Sequence, residues 1–310
     1  STARKESDTV EIQSGFFNGF TTGTPLCARI VNSDQHSKDY SILADKMRPG
    51  HADYAGHVRY QGFNDYRGGG HFSGRLTAPL VFAGAVAKQA LAQYGIIVGS
   101  HILQINDIQE ERFNPMGVSD AELAELHAKK FAVMDDTVGE KMQERILQAK
   151  SELNSVGGVV EAIALHLPAG IGAPYFDSVE SMLSHALFSV PAVKGIEFGD
   201  GFGFAGLTGA EANDALHYVD GKVLALTNHN GGVTGGITNG MPLVVRVAIK
   251  PTPSIAREQQ TVSLKEQADT TLAIVGRHDP CIVQRAVPVI EAVVAWTLWD
   301  LLLEAKKWEK

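Results

Sequence analysis

Two short stretches bring together the residue types that move protons on charged molecules. "GRHDPC" (Gly276 to Cys281) sets Arg277, His278 and Asp279 side by side, and "RPGHADY" (Arg48 to Tyr54) carries Arg48, His51 and Asp53. A cation, an imidazole and a carboxylate together suit either of two chemistries. They can ligate a divalent metal for hydrolysis, or act as acid/base and hydrogen-bonding groups around an organic cofactor. Glycine gathers in "RGGGHFSGR" (Arg67 to Arg75), "FGDGFGFAG" (Phe198 to Gly206) and "NHNGGVTGGITNG" (Asn228 to Gly240). Such runs expose backbone N–H groups that can approach an anion closely. Arg67, Arg75 and Arg277 flank glycines, and "KPTPS" (Lys250 to Ser254) adds an ammonium and two hydroxyls. Planar guanidinium forks and an ammonium in this company suit a ligand that carries phosphate or carboxylate.

Each feature also has a structural alternative. A glycine cluster serves as a tight turn, and a His/Asp pair caps a helix or satisfies loop backbone. Metal ligation is disfavoured by the arginines beside both pairs and by the lack of an H-E-x-x-H motif or a third clustered carboxylate. No stretch gives a P-loop, and no G-x-G-x-x-G joins a strand to a helix, so a standard nucleotide fold is not expected.

Composition narrows the partners. The chain has 310 residues, of which 44% are hydrophobic, enough for a substantial core, and a formal net charge of −8. That charge argues against a general nucleic-acid or anionic-membrane surface, so any anion must be captured by a local cluster. Cys27 and Cys281 are far apart and form no C-x-x-C pair, which predicts a reducing compartment, the cytoplasm, without a disulfide or zinc framework. No charged segment followed by an apolar one opens the chain, and Pro288, Glu291 and Asp300 interrupt its most apolar stretch, Val287 to Leu303. Neither secretion nor a membrane span is expected.

The elements that must position these residues mix strands and helices. Alternation around Val10 and Ile12 and again around Leu26, Ala28 and Ile30, with Asn18-Gly19 between, predicts a β-hairpin. "RLTAPLVFAGAVAKQAL" predicts a helix buried on every face. Ser119 and Glu122 stand in capping-box spacing ahead of an amphipathic helix, and "TVGEKMQERILQAKSELN" continues as another, both near the surface. "GGVVEAIALHLP" and "VLALTN" read as strands, "GGITNGMPLVVRVAIK" as a hairpin turning at Asn239-Gly240, and "PVIEAVVAWTLWDLLLEAKKW" as a long final helix. Hairpin signals outnumber strand-helix-strand units. The fold class expected is therefore α+β, antiparallel sheets packed on central helices, in one domain over residues 1–310.

"RPGHADY", "DYRGGGHFSGR", "VKGIEFGDGF", "NHNGGVTGGITNG", "KPTPSI" and "GRHDPCIVQRAVPV" resemble, in order and across almost the whole chain, the successive signature blocks of chorismate synthases. The resemblance implies a β-α-β sandwich and a lyase that converts 5-enolpyruvylshikimate 3-phosphate to chorismate and phosphate in aromatic amino-acid biosynthesis. It implies reduced FMN without net redox change, with NADPH only as a reductant of the flavin. By the same resemblance FMN contacts fall on His71, Phe72, Ser73, Pro191, Ala192, Gly235, Lys250, Pro251, Thr252, Pro253, Ser254 and Arg277, with Lys250, Thr252 and Ser254 on the phosphate tail. Substrate contacts fall on Arg4, Arg48, Arg75 and Arg277. The catalytic pair is His51, beside the flavin, and Asp279, the acid/base group; His278 is left as a structural neighbour. No metal is implied. A homotetramer is, with the helix from Val289 to Trp308 and exposed sheet edges at its interfaces. Two features depart from the family. "HFSGRLT" stands where R-S-S-A-R-E-T is usual, and the family's opening strand, ending in Gly-Glu-Ser-His-Gly, with the arginine-rich segment after it, does not occur here. An N-terminally incomplete chain lacking roughly fifty residues is the expectation. The alternatives are a non-catalytic flavin- or anion-binding module and a metal-dependent phosphohydrolase.

Overall fold

The computed structural model describes residues 7–32, 43–274 and 279–306. The chain forms two compact units, Ser1–Pro79 with Pro253–Asp279, and Leu80–Thr252 with Pro280–Lys310.

The first unit opens with a ribbon. β1 (Val10–Ser14) pairs antiparallel with β4 (Cys27–Ile30), and between them β2 (Phe16–Phe17) and β3 (Phe20–Thr21) close a smaller hairpin. Asn18 and Gly19 turn it with φ of 49° and 83°, the two left-handed residues that a type I′ turn requires. The predicted hairpin is thus present. A tight turn at Gly50 leads into α1 (Asp53–Arg59), and two 3₁₀ turns follow, Arg67–Phe72 and Gly74–Thr77.

The chain enters the second unit along α2 (Ala78–Ala92) and continues through β5 (Ile97–Ile105), β6 (Ile108–Gln109), α3 (Asp120–Ala128), α4 (Asp136–Ser151) and β7 (Gly158–Leu165). Then come α5 (Val179–Phe188), β8 (Val193–Phe198), a single turn α6 (Gly209–Ala212), the hairpins β9 (Leu216–Val219) with β10 (Lys222–Ala225) and β11 (Val233–Thr234) with β12 (Ile237–Thr238), and β13 (Leu243–Ile249). β14 (Gln259–Ser263) and β15 (Ala268–Leu272) return to the first unit as an antiparallel hairpin, and α7 (Val283–Lys306) ends in the second.

One five-stranded sheet, in the order β6-β5-β7-β13-β8, organises the second unit. Every ladder among the described residues is antiparallel, so the α+β class is what the chain adopts. Strand alternation explains the layering. Val160, Ala162 and Ala164 of β7 with Val245 and Val247 of β13 meet Leu183 and Leu187 of α5 and Ile290, Val293, Val294 and Leu298 of α7 in one core. The opposite face offers Ile163, Leu165 and Val244 to Phe113 and to Leu123 and Leu126 of α3. Helices cover both faces, which is why β7 and β13 read as nearly continuous apolar runs. Ser119 caps α3 with Glu122 in the expected capping box.

Several expectations change. Asn239-Gly240 does not turn a hairpin: β12 pairs back onto β11 through Gly235 and Gly236, while β13 pairs with β7 and β8. Gly235 and Gly236, at φ of 63° and 85°, supply the left-handed pair that a two-residue turn needs. The helix α2 buries one face only, along Gly84, Ala87 and Leu91. The final helix begins at Val283 and carries Pro288 within it. α7 has the length and composition to cross a membrane, yet 67% of its most apolar window lies inside the protein, so it is a core helix. Buried Glu291 on α7 is tolerated because Lys88 and Ser100 both bond it, Ser100 at 2.8 Å.

Gly84 faces Ala292 so closely that an added Cβ would lie 2.2 Å from the alanine Cβ and 2.4 Å from its Cα. In an ordinary helix Gly→Ala stabilises by about 0.5–1 kcal/mol. Here the helices must move apart, and Gly84→Ala is expected to destabilise by about 1–3 kcal/mol. Urea denaturation of the two proteins measures the sign.

Candidate active site

In the first unit the residues of "RPGHADY" fold onto one another. Gly50, at φ of 70°, lets the chain reverse, and the His51 N–H donates to the Arg48 carbonyl at 3.2 Å. That reversal returns Asp53, in the first turn of α1, to Arg48. Asp53 is 8% exposed and its carboxylate is saturated. Oδ2 accepts from Arg48 Nε at 2.7 Å and from the Arg48 backbone N–H at 3.1 Å. Oδ1 accepts from Arg48 Nη2 at 2.8 Å and lies 2.7 Å from His51 Nδ1. Burial works to raise the Asp53 pKa, but the hydrogen bonds from Arg48 and His51 outweigh it and hold the group ionised well below the usual 3.8. With two forks' worth of Arg48 given to Asp53, its remaining Nη1 reaches Ser254 Oγ at 3.4 Å.

The glycine run lies against this cluster. A Cβ on Gly56 of α1 would sit 2.5 Å from the Phe72 ring, and a Cβ on Gly69, whose φ is 85°, would be 3.9 Å from His51 Nε2 and 3.7 Å from the Ser73 Cβ. Glycine is therefore used for close approach at Gly56 and for its positive φ at Gly69. Ser73 caps the next 3₁₀ turn, accepting the Arg75 N–H at 3.2 Å, and His71 is exposed. Hence His51, Phe72, Ser73, Arg48 and Ser254, distant in sequence, meet in one unit. Arg67 pairs with Asp65 through two bonds of 2.8 Å, and Arg75 pairs with Asp8 at 2.5 Å. The Arg67–Asp65 pair is exposed and correspondingly weak, whereas the Arg75 side chain is only 21% exposed. Asp279 is partly buried. Arg4, Arg277 and His278 lie outside the described residues.

In the second unit the "KPT" stretch is held from two directions. The Lys250 N–H donates to the carbonyl of Ala192, itself at a φ of 75°, and the Ser155 hydroxyl donates to the Thr252 carbonyl at 2.7 Å. Pro251 packs where a Cβ on Gly157 would meet it at 3.0 Å. The structure thereby joins predicted residues Ala192 and Lys250. Thr252 Oγ1 is buried with no hydrogen-bond partner, a condition that costs about 1–3 kcal/mol. An unmet hydroxyl beside a lysine is what a phosphate-binding segment would present in the absence of its ligand, so these residues fit FMN. Gly235 sits at its hairpin turn with open space beside it.

A further group was not expected from the sequence. Four neighbouring strands each place one charged residue at the same level: His101 on β5, Glu161 on β7, Arg246 on β13 and Glu197 on β8, paired in register across the sheet. His101 Nε2 lies 3.0 Å from Glu161, and its Nδ1 bonds Glu110. Glu161 also accepts from Arg246 Nη1 at 3.1 Å and from the Phe113 N–H at 2.6 Å, and Arg246 Nε bonds Glu197 at 2.6 Å. The ladder ends on the second glycine cluster: Arg246 also bonds the Gly199 carbonyl, and the Phe202 N–H donates to Glu197 at 3.3 Å. Gly199 and Gly231 are needed because a Cβ on Gly199 would lie 1.9 Å from the His229 carbonyl. These glycines let two loops touch. β5, β7 and β13 each show one titratable residue within an apolar run, but β8 carries Lys194 as well as Glu197, and nothing local in the sequence says which of these residues meet.

The His51–Asp53–Arg48 cluster of the first unit and, separately, the Lys250–Thr252 stretch of the second carry residue types suited to acid/base and anion chemistry on an α+β scaffold. The family model for chorismate synthase matches residues 1–303. The chain is 48% identical over 310 residues to the chorismate synthase of Thermococcus gammatolerans, spanning 100% of this chain and 85% of that protein. It is 47% identical over 309 residues to that of Pyrococcus abyssi, with 100% and 85% covered. A crystal structure of chorismate synthase aligns with a TM-score of 0.75 at 30% identity, over 96% of this chain and 78% of the other. The chain belongs to the chorismate synthase family.

The two buried centres respond to pH with opposite signs. Burial lowers the His101 pKa, but bonds to Glu110 and Glu161 raise it beyond that, leaving it above the usual 6.5. Its stabilisation is fully present below pH 6.5 and is lost as pH rises through the raised folded value. Asp53, with its pKa lowered, stabilises above 3.8 and loses that contribution as pH falls. His101→Phe is expected to cost about 3–5 kcal/mol, because two buried carboxylates lose their cation. It should also flatten the alkaline fall in stability, read from urea midpoints across pH, and leave the acid fall in place.

Proposed function

We propose that this chain converts 5-enolpyruvylshikimate 3-phosphate to chorismate and phosphate, a 1,4-elimination in anti geometry that uses reduced FMN without net redox change. Family membership supports the reaction, and the observation that carries the residue assignment is the cluster of His51 with Asp53, Arg48 and Ser254 against the 67–73 turn. The substrate has no carbonyl to absorb charge as its ring hydrogen and phosphate leave, and reduced FMN, when bound, lends and recovers the needed electron density.

The residues have separate tasks. His51 would stand beside the flavin and favour its reduced anion. Asp279 is the acid/base group that relays a proton. Lys250, Thr252 and Ser254 bind the FMN phosphate, with His71, Phe72, Ser73, Pro191, Ala192, Gly235, Pro251, Pro253 and Arg277 as further cofactor contacts. Arg4, Arg48, Arg75 and Arg277 bind the substrate, Arg48 through the Nη1 that Asp53 does not engage. NADPH enters only as a reductant of the flavin. A cytoplasmic homotetramer without nucleic-acid or membrane partners accords with the net charge of −8. The match of one family model across both units supports a single family domain.

Asp279→Asn should lower turnover ~10²–10⁴-fold with FMN affinity unchanged, since a proton-transfer group acts in the transition state. Anaerobic chorismate formation with excess reduced FMN measures it, and equal turnover in both proteins would remove Asp279 from its role. Thr252→Val should have the opposite character. It removes a buried hydroxyl without a partner, so the ligand-free protein becomes more stable by about 1 kcal/mol while FMN binds more weakly. Flavin absorbance titration reads the second effect. An unchanged flavin spectrum, together with a phosphohydrolase activity abolished by EDTA, would replace this reading by the metal-dependent one.

A further inference from the structure

His51 Nδ1 has two neighbours, Asp53 Oδ1 at 2.7 Å and Arg48 Nη2 at 3.1 Å. The arginine can only donate and the ionised carboxylate can only accept. Were Nδ1 unprotonated, its lone pair would face the carboxylate oxygen at 2.7 Å with no hydrogen between them. Were it protonated, it would donate to Oδ1, while Arg48 Nη2 donates to the same oxygen at 2.8 Å. An unprotonated Nδ1 would accept only in the longer contact, from Arg48 Nη2 at 3.1 Å, and would leave the shorter one without a hydrogen; the second arrangement places the proton in the shorter contact. Asp53 cannot turn away, because Arg48 holds both its oxygens and a backbone N–H fixes Oδ2. The cluster is also secluded, with the His51 side chain 15% exposed and Arg48 and Asp53 at 7% and 8%.

We propose that Asp53, clamped by Arg48, is a positioning residue that keeps the Nδ1 proton on His51, so that the neutral ring presents Nε2 as its working atom toward Gly69 and Ser73. Ring orientation and tautomer are set together, as a carboxylate sets them for an acid/base histidine elsewhere. Gly69 lies beside Nε2, where a Cβ would make only ordinary contact at 3.9 Å but would strain a φ of 85°. This inference rests on the role proposed above for His51 and adds which nitrogen performs it.

Histidine-selective ¹⁵N labelling of the 310-residue protein without flavin reads the tautomer directly, with the His51 signals assigned by their loss in His51→Gln. The expected result is an Nδ1–H, Nε2-lone-pair ring at the pH where it is neutral, the reverse of the preference of free histidine. An Nε2–H ring in the wild-type protein overturns the inference without any variant being needed. In Asp53→Asn the Nδ1–H preference should be lost, and kcat should fall roughly 10²–10⁴-fold with KM little changed. Retention of both tautomer and kcat would count against the inference. Arg48→Lys keeps the accepting carboxylate and should keep the Nδ1–H form; its loss there would assign the positioning to Arg48 instead. A protein that shows the Nδ1–H ring yet forms no chorismate supports the inference and overturns the reaction assigned to the chain.

Discussion

Glu161 stands on the middle strand of the sheet with no access to water, and an ionised carboxylate in that position must be matched bond for bond. Its partners come from His101, Arg246 and the Phe113 backbone, and each brings an obligation of its own. His101 requires Glu110, which in turn fixes the N–H groups of Met134 and Asp135 ahead of α4. Arg246 requires Glu197 and the Gly199 carbonyl. Satisfying one buried charge thereby aligns four strands in a single register, seats the start of a helix and fastens a glycine loop. A one-residue slip of any strand would move its charged residue to the opposite face, among Val160, Ala162 and Val245. The apolar core supplies attraction but tolerates alternatives; the ladder does not.

The first unit repeats the principle on a smaller scale. Asp53 is again a buried carboxylate saturated by donors, and saturation again fixes a neighbouring imidazole. The difference lies in what the imidazole faces. Both nitrogens of His101 are taken by carboxylates, so that ring is structural. His51 has one nitrogen tied and the other directed at a glycine turn, so that ring can act on something else. Two histidines in similar charged settings are separated in role by one unoccupied ring atom.

Features written within a few residues were legible in the sequence. The Asn18-Gly19 turn, the Ser119/Glu122 capping box and the apolar runs of β7 and β13 depend on local backbone preference and strand period, and all three were read correctly. Asn239-Gly240 carried an equally good local turn signal, yet β13 found its partners in β7 and β8, because a central strand gains two ladders where a hairpin offers one. Pro288 lies inside α7 although a proline ordinarily ends a helix; the burial of residues on both sides of it outweighs the lost backbone bond. The ladder was invisible because its members are 49 to 85 positions apart, and periodicity says nothing about which lone charges will meet. His51 and Asp53 were picked out by residue type, but the part of Arg48 as a clamp on Asp53 required the turn at Gly50 to be seen.

The first unit is assembled from two stretches separated by the whole of Leu80–Thr252. Arg48 meets Ser254 across 206 positions, and Lys46 and Met47 join the strand that includes Val262 and Ser263. Contacts of such long separation carry a loop-closure cost and form slowly. On a chain emerging from the ribosome N-terminus first, all five strands of the large sheet are available before β14 and β15 exist. His51 and its clamp are made before any strand of that sheet, yet their surroundings can be completed only after all five strands exist, so the sheet's strands precede the chemistry.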